Sequence, residues 1–102
     1  MIYINNIKFK RNEEKNFLLK NKRWITFEEI IHYINSWNLI EIIPHHNTDK
    51  YPNQKIFAVL IDWYVWAIPF IKNWDIIFLK TAYKDRNLKS FYIDNIKQNE
   101  KY

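Results

Sequence analysis

A chain of 102 residues that is 48% hydrophobic and 19% aromatic is long enough for one domain around one core and too short for two, and so apolar a chain is not disordered. It has no cysteine, which excludes disulfide frameworks, thiolate zinc sites and cysteine nucleophiles and suits a reducing cytoplasm. A formal charge of +5 fits an anionic partner or plain solubility, while the absence of glycine forces every turn that needs positive φ onto Asn, Asp or a strained residue.

No apolar run approaches the roughly 18 to 20 residues that span a bilayer. Nothing after Met1 reads as an export signal, so no membrane association is expected. The abundance of Asn, Lys and Ile points to an AT-rich gene.

Taken in chain order, Met1 to Phe9 alternates loosely and predicts a short strand or bent pair. Asn12 can cap a helix from Glu13 to about Asn21, with acidic residues in its first turn and basic ones in its last. Only Phe17, Leu18 and Leu19 offer themselves for burial, so this helix should be peripheral. A second helix starts at the capping box of Thr26 and Glu29, with Ile25 positioned to staple onto Ile30. Phe27, Ile30, Ile31, Ile34 and Trp37 recur at helical spacing and predict one apolar face against a sheet. Ser36 to Asn38 ends it, and Leu39 to Ile43 is a strand closed by Pro44.

His45 to Gln54 is a polar loop. Lys55 to Ile61 and Tyr64 to Ile71 predict an antiparallel hairpin turning at Asp62 and Trp63. Pro69 cannot donate to a ladder, which predicts an edge position or a bulge there. Ile76 to Thr81 is a further strand, and Asp85 can cap a closing helix that carries Leu88, Phe91, Tyr92 and Ile96 before a polar tail from Gln98 to Tyr102. The expected fold class is therefore α+β in a single domain over 1–102: a short N-terminal strand, two helices, a four-stranded antiparallel meander and a C-terminal helix.

A sheet that ends in the cluster Lys80, Tyr83, Lys84 and Arg86, in a chain without a competing metal or nucleophile motif, points to chemistry or binding at a phosphate. Several blocks sharpen this. They are Asn12-Glu13-Glu14-Lys15-Asn16, Thr26-Phe27-Glu28-Glu29, His45-His46-Asn47, Tyr51 to Phe57, Tyr64 to Phe70 and Phe78 to Thr81. In this order and spacing, over about residues 10 to 92, the chain resembles the BrnT family of type II toxins, small RelE-like proteins of bacterial toxin–antitoxin pairs.

The resemblance implies a RelE-like α+β fold and an endoribonuclease activity that blocks translation; the expected setting is cytoplasmic, and no cofactor is expected. It also implies neutralisation by a cognate antitoxin, often of ribbon-helix-helix type, and operator DNA contacted only through that antitoxin. The RNA substrate would be met free or on the ribosome. Arg86 and Tyr92 fall on matching positions of the family's C-terminal basic segment. Three basic positions there have become Asn87, Ser90 and Phe91, with Lys84 and Lys89 supplying charge elsewhere. Where relatives carry Gly after the hairpin Asp this chain has Trp63, and near the Gly before their second helix it has Trp24. The departures leave open an alternative, a catalytically inactive homologue that acts through antitoxin binding and operator autoregulation.

Metal-independent RNA cleavage needs a base for the 2′-hydroxyl proton, fixed cations for the phosphorane and an acid for the departing 5′-oxygen. Lys80 and Arg86 suit the cationic role, Tyr83 a stacking or proton-donating role, and His45 the acid or base role because imidazole titrates near neutrality. Lys84, Lys89, Tyr92 and Trp63 are the candidate RNA contacts. The ordinary alternatives are a solvated strand residue for Lys80, a surface pair with Asp85 or a neighbouring carboxylate for Arg86, and an aromatic on a sheet rim for Tyr83. Adjacent His45 and His46 lack the spacing of a metal pair, so no metal is expected. His32 reads as a helix-surface residue, and Glu28 with Glu29 as helix-start carboxylates.

Overall fold

A computed structural model describes residues 8–94. The chain runs β1 (Lys8–Arg11), α1 (Glu13–Arg23), α2 (Phe27–Tyr33), a wide turn at Ile34–Asn38, β2 (Leu39–Pro44), β3 (Lys55–Ile61), β4 (Tyr64–Asn73), β5 (Ile76–Leu79), β6 (Tyr83–Lys84) and α3 (Arg86–Lys89), which a second wide turn extends over Ser90–Asp94. Of the expected strand over Met1 to Phe9, the part before Lys8 lies outside the described residues, as do the continuation of the last helix to Ile96 and the tail.

Three side chains start the three helices. Asn12 Oδ1 accepts the Lys15 amide at 3.1 Å, Thr26 Oγ1 accepts that of Glu29 at 3.2 Å, and Asp85 Oδ1 accepts that of Leu88 at 3.0 Å. Each satisfies a helix-start N–H that has no partner within its own helix. The entrance to α2 is further pinned by Asn16 on α1, whose Oδ1 accepts the Phe27 amide at 2.8 Å. Glu28 binds Arg11 Nε at 2.9 Å, so this carboxylate ties β1 to α2.

The sheet order is β1-β5-β4-β3-β2, with β6 also paired to β4. The stretch from β2 to β5 is the expected antiparallel meander, and the α+β class holds. Two features differ from the sequence reading. Strand β1 adds to the edge in parallel, Lys8 opposite Ile76 and Arg11 opposite Leu79. The two-residue β6 pairs Lys84 with Trp66 and Tyr83 with Ala67. Strand β4 is thus central rather than an edge. Pro69 fits because the ladder on that side is interrupted between Leu79 and Tyr83, and the Pro69 carbonyl still accepts the Lys80 amide at 2.9 Å.

Alternation along β3 and β4 divides the core in two. Phe57, Val59, Ile61, Trp66, Ile68 and Phe70 face the α1–α2 layer, where Leu19, Ile25, Phe27 and Ile30 are buried against them. Ile56, Ala58, Val65 and Ala67 face the opposite way, onto Leu88 and Ile93 beyond β6. Both faces of β3 and β4 are covered, which explains their nearly continuous apolar runs. Helix α1 is peripheral as expected: Leu19 is buried while Phe17 and Leu18 are exposed. Trp37 and Phe91 do not join the faces predicted for them. Trp37 leaves the helix with φ 71° and its side chain stands in solvent, and Phe91 is exposed on the last turn.

Candidate functional site

The short strand β6 and the start of α3 bring the C-terminal candidates to one end of the sheet. Lys84 shares a face with Trp66 and Tyr64, and its Nζ lies 5.4 Å from the Tyr64 ring centre and 5.9 Å from that of Trp66. Lys89 reaches back from α3 to the same Tyr64 ring at 5.5 Å. Two ammonium groups thus converge on one phenol ring, an arrangement favoured by the ring quadrupole. Lys89 Nζ also stands 3.5 Å from Asp94 Oδ1. Beside Lys84 is an open cavity of about 260 Å³, lined among others by Arg23, Trp24, Glu29, Asp62 and Tyr64. It holds two cations and two carboxylates, so its charge is mixed.

Tyr83 points to the other side of β6, against the Leu88 and Ile93 cluster. Burial, and then the neighbouring Asp85 carboxylate, raises its phenol above the ordinary value. A phenol so placed keeps its proton at neutral pH and can donate but not abstract. Arg86 follows on the first turn of α3 and is exposed. The surface pair with Asp85 or a neighbouring carboxylate, the ordinary alternative for Arg86, is absent among the described ion pairs.

Asp85 has other partners. It is buried, one carboxylate oxygen caps α3, and the other lies 2.9 Å from His46 Nε2. A carboxylate only accepts, so Nε2 carries the shared proton, and Nδ1 is the ring nitrogen turned away from Asp85. His45 has a different setting. Its Nδ1 accepts the Asn47 amide at 3.0 Å and its ring packs on Tyr51 with centres 4.6 Å apart, so it shapes the loop after β2. The two imidazoles are 6.3 Å apart. Sequence reasoning selected His45 and passed over His46, because the partner that orients His46 lies 39 positions away and no local spacing announces it. Tyr64 and Arg23, which line the cavity beside Lys84, were not among the sequence candidates.

Lys80 lies just beyond β5, with its Nζ 5.0 Å from the Phe78 ring centre. Trp63 stands exposed at the tip of the β3–β4 hairpin. Tyr92 donates its hydroxyl to Glu41 Oε2 on β2. Burial, that hydrogen bond and the Glu41 charge push its pKa up to about 12 from 10.0. A folded-state value above the unfolded one means that ionisation opposes folding. The contribution of Tyr92 is therefore complete below pH 10 and lost as pH rises towards 12. Unfolding midpoints measured across this window should fall more steeply for the wild type than for Tyr92→Phe, with Tyr83 leaving a residual slope of the same sign. Parallel profiles would remove this role from Tyr92.

Among the described residues no group of three or more His, Cys, Asp or Glu side chains could hold a metal ion, and no helix is long and apolar enough to cross a membrane. No family model, curated protein or solved structure matches this chain.

Proposed function

We propose that the chain is the toxin of a type II toxin–antitoxin pair, a RelE-like, metal-independent endoribonuclease of BrnT type whose working surface is β6, the start of α3 and the loop after β2. The observation that carries the reading is the His46–Asp85 couple at 2.9 Å, in which Asp85 is flanked along the chain by Tyr83, Lys84 and Arg86. The order and spacing of the sequence blocks that resemble that family support the reading separately.

The chemistry assigned to these groups is a transesterification. His46 Nδ1 takes the proton of a 2′-hydroxyl, and the 2′-oxygen attacks the adjacent phosphorus. Arg86 offsets the added negative charge on the phosphorane, and Lys84, on the other face of β6 from Tyr83, holds a neighbouring phosphate of the strand. The 5′-oxygen leaves with a proton from a donor such as the protonated Tyr83 phenol, and a 2′,3′-cyclic phosphate remains. No cofactor enters this scheme. The partners are RNA, free or on the ribosome, and a cognate antitoxin of ribbon-helix-helix type that carries the operator contact.

A second reading, the inactive antitoxin-binding homologue, is favoured by one specific observation. Lys84 and Lys89 rest on Tyr64, and Asn87, Ser90 and Phe91 stand where relatives carry cations. Inducing the wild-type chain in a bacterium beside His46→Ala, Arg86→Ala and Lys80→Ala at matched soluble levels separates the two. Growth arrest with new RNA ends, lost in His46→Ala and Arg86→Ala by about 10²-fold or more, is the expected result. Normal growth with intact RNA from folded wild-type protein would leave the inactive homologue as the function.

A further inference from the structure

Five described residues have positive φ, and four of them are tryptophan: Trp24 at 61°, Trp37 at 71°, Trp63 at 62° and Trp74 at 58°, with Asp62 at 53° as the fifth. A bulky side chain in the left-handed region is a genuine outlier, because its Cβ crowds the following carbonyl. The chain contains five tryptophans and no glycine, whereas about 7% glycine is usual.

Each of the four sits where turn geometry asks for glycine. Trp24 is the left-handed cap of α1, its amide bonded to the Lys20 carbonyl at 3.0 Å, a position that helices fill with glycine. Trp37 closes the wide turn after α2. Asp62 and Trp63 form the two-residue loop between Ile61 and Tyr64, with positive φ at both positions, the pattern for which Asp-Gly is the preferred pair. Trp74 is the first residue of the two-residue loop between Asn73 and Ile76, the glycine position of the other favoured hairpin turn.

The four indoles have no compensating use. They are 88%, 76%, 73% and 90% exposed in chain order, and none makes a hydrogen bond or ring contact among the described residues. A docking surface would gather them on one face, yet Trp63 and Trp74 stand at opposite ends of the ten-residue β4. Trp66 is the contrast: it is 4% exposed, extended, and packed in the core.

We infer that positions 24, 37, 63 and 74 carry glycine in the cell this gene comes from, inserted at UGA triplets by a glycine-charged tRNA, and that Trp66 alone is a tryptophan. UGA differs from the glycine triplet GGA only in its first base, so one anticodon change lets a glycine tRNA read it. The AT-rich bias expected from Asn, Lys and Ile favours UGA over GGA. The inference accounts together for the missing glycine, the left-handed tryptophans and their exposure. It also means that Trp63 offers no indole for stacking on a base, and that the cavity beside Lys84 is not walled by an indole at position 24.

Two measurements test it. In the gene, UGA is expected at positions 24, 37, 63 and 74 and UGG at 66. Peptide masses of the protein from its own cell should then show glycine at all four. UGG triplets, or masses showing tryptophan, overturn the inference at that position. Independently, in recombinant protein, single Trp→Gly replacements at the four positions should each raise Tm by roughly 4–8 °C, as relief of about 1 kcal/mol of left-handed strain does in a domain of this size. Trp66→Gly should instead abolish the cooperative transition. Unchanged or lowered Tm for the four single variants would mean that the turns do not call for glycine and would overturn the structural premise.

Discussion

Phe57→Ala is expected to lower the unfolding free energy by about 3–5 kcal/mol, a large share of the roughly 5–15 kcal/mol typical of a domain. Phe57 is 1% exposed and stacks on Phe70 with ring centres 3.9 Å apart and planes 13° from parallel. Strand β3, which carries it, is flanked by β2 and β4, so the backbone around it cannot collapse to refill the space. Truncation removes the transfer free energy of the ring and strips Phe70 of its stacking partner. The urea midpoint should fall sharply, whereas Phe17→Ala, at a site 67% exposed, should move it by no more than about 0.5 kcal/mol. Similar midpoints for the two variants would show that the core is not organised around the α1–α2 face of the sheet.

Asp85→Ala should cost about 2 kcal/mol and weaken the proposed activity at the same time. The substitution removes the cap of α3 and the acceptor that orients His46, leaving the Leu88 amide unpaired at a buried helix start. Asp85→Asn separates the two roles. Its side-chain oxygen can still accept the Leu88 amide, so most of the stability should return. The carboxylate that holds the proton on Nε2 is gone, however, and with it the preference for a basic Nδ1. Stability is expected to rank wild type, Asn, Ala, while both variants lose RNA cleavage by about tenfold or more. Retained cleavage in a stable Asp85→Asn variant would take the His46–Asp85 couple out of the mechanism.

What could be read from the sequence was local. Asn12, Thr26 and Asp85 cap helices where their spacing to the following amides said they would, because a cap is decided within four residues. The β2–β5 meander was legible for the same reason, since each hairpin is set by its own turn and alternation. The parallel addition of β1 to β5 was not, because Lys8 meets Ile76 through a pairing that no neighbouring residue specifies. The Trp37 side chain was assigned to the α2 face by periodicity, but the helix opens into a left-handed turn at that residue and carries the indole outward. Of the candidate site, the run from Tyr83 to Arg86 was visible as a basic aromatic cluster. That His46 meets a carboxylate was not visible, because Asp85 lies 39 positions further along the chain.

The pairing of β1 with β5 also sets an order of events during synthesis. Strand β1 leaves the ribosome before the other described strands, yet its hydrogen-bonding partner, Ile76–Leu79, is made after β2, β3 and β4. The antiparallel hairpins can close as they emerge, whereas this edge must wait until most of the chain is out. The anchor of Arg11 to Glu28 can hold the waiting segment near α2 in the interval. The segment Tyr83 to Arg86 comes later still, so the candidate RNA surface is assembled only after every strand of the meander has been made.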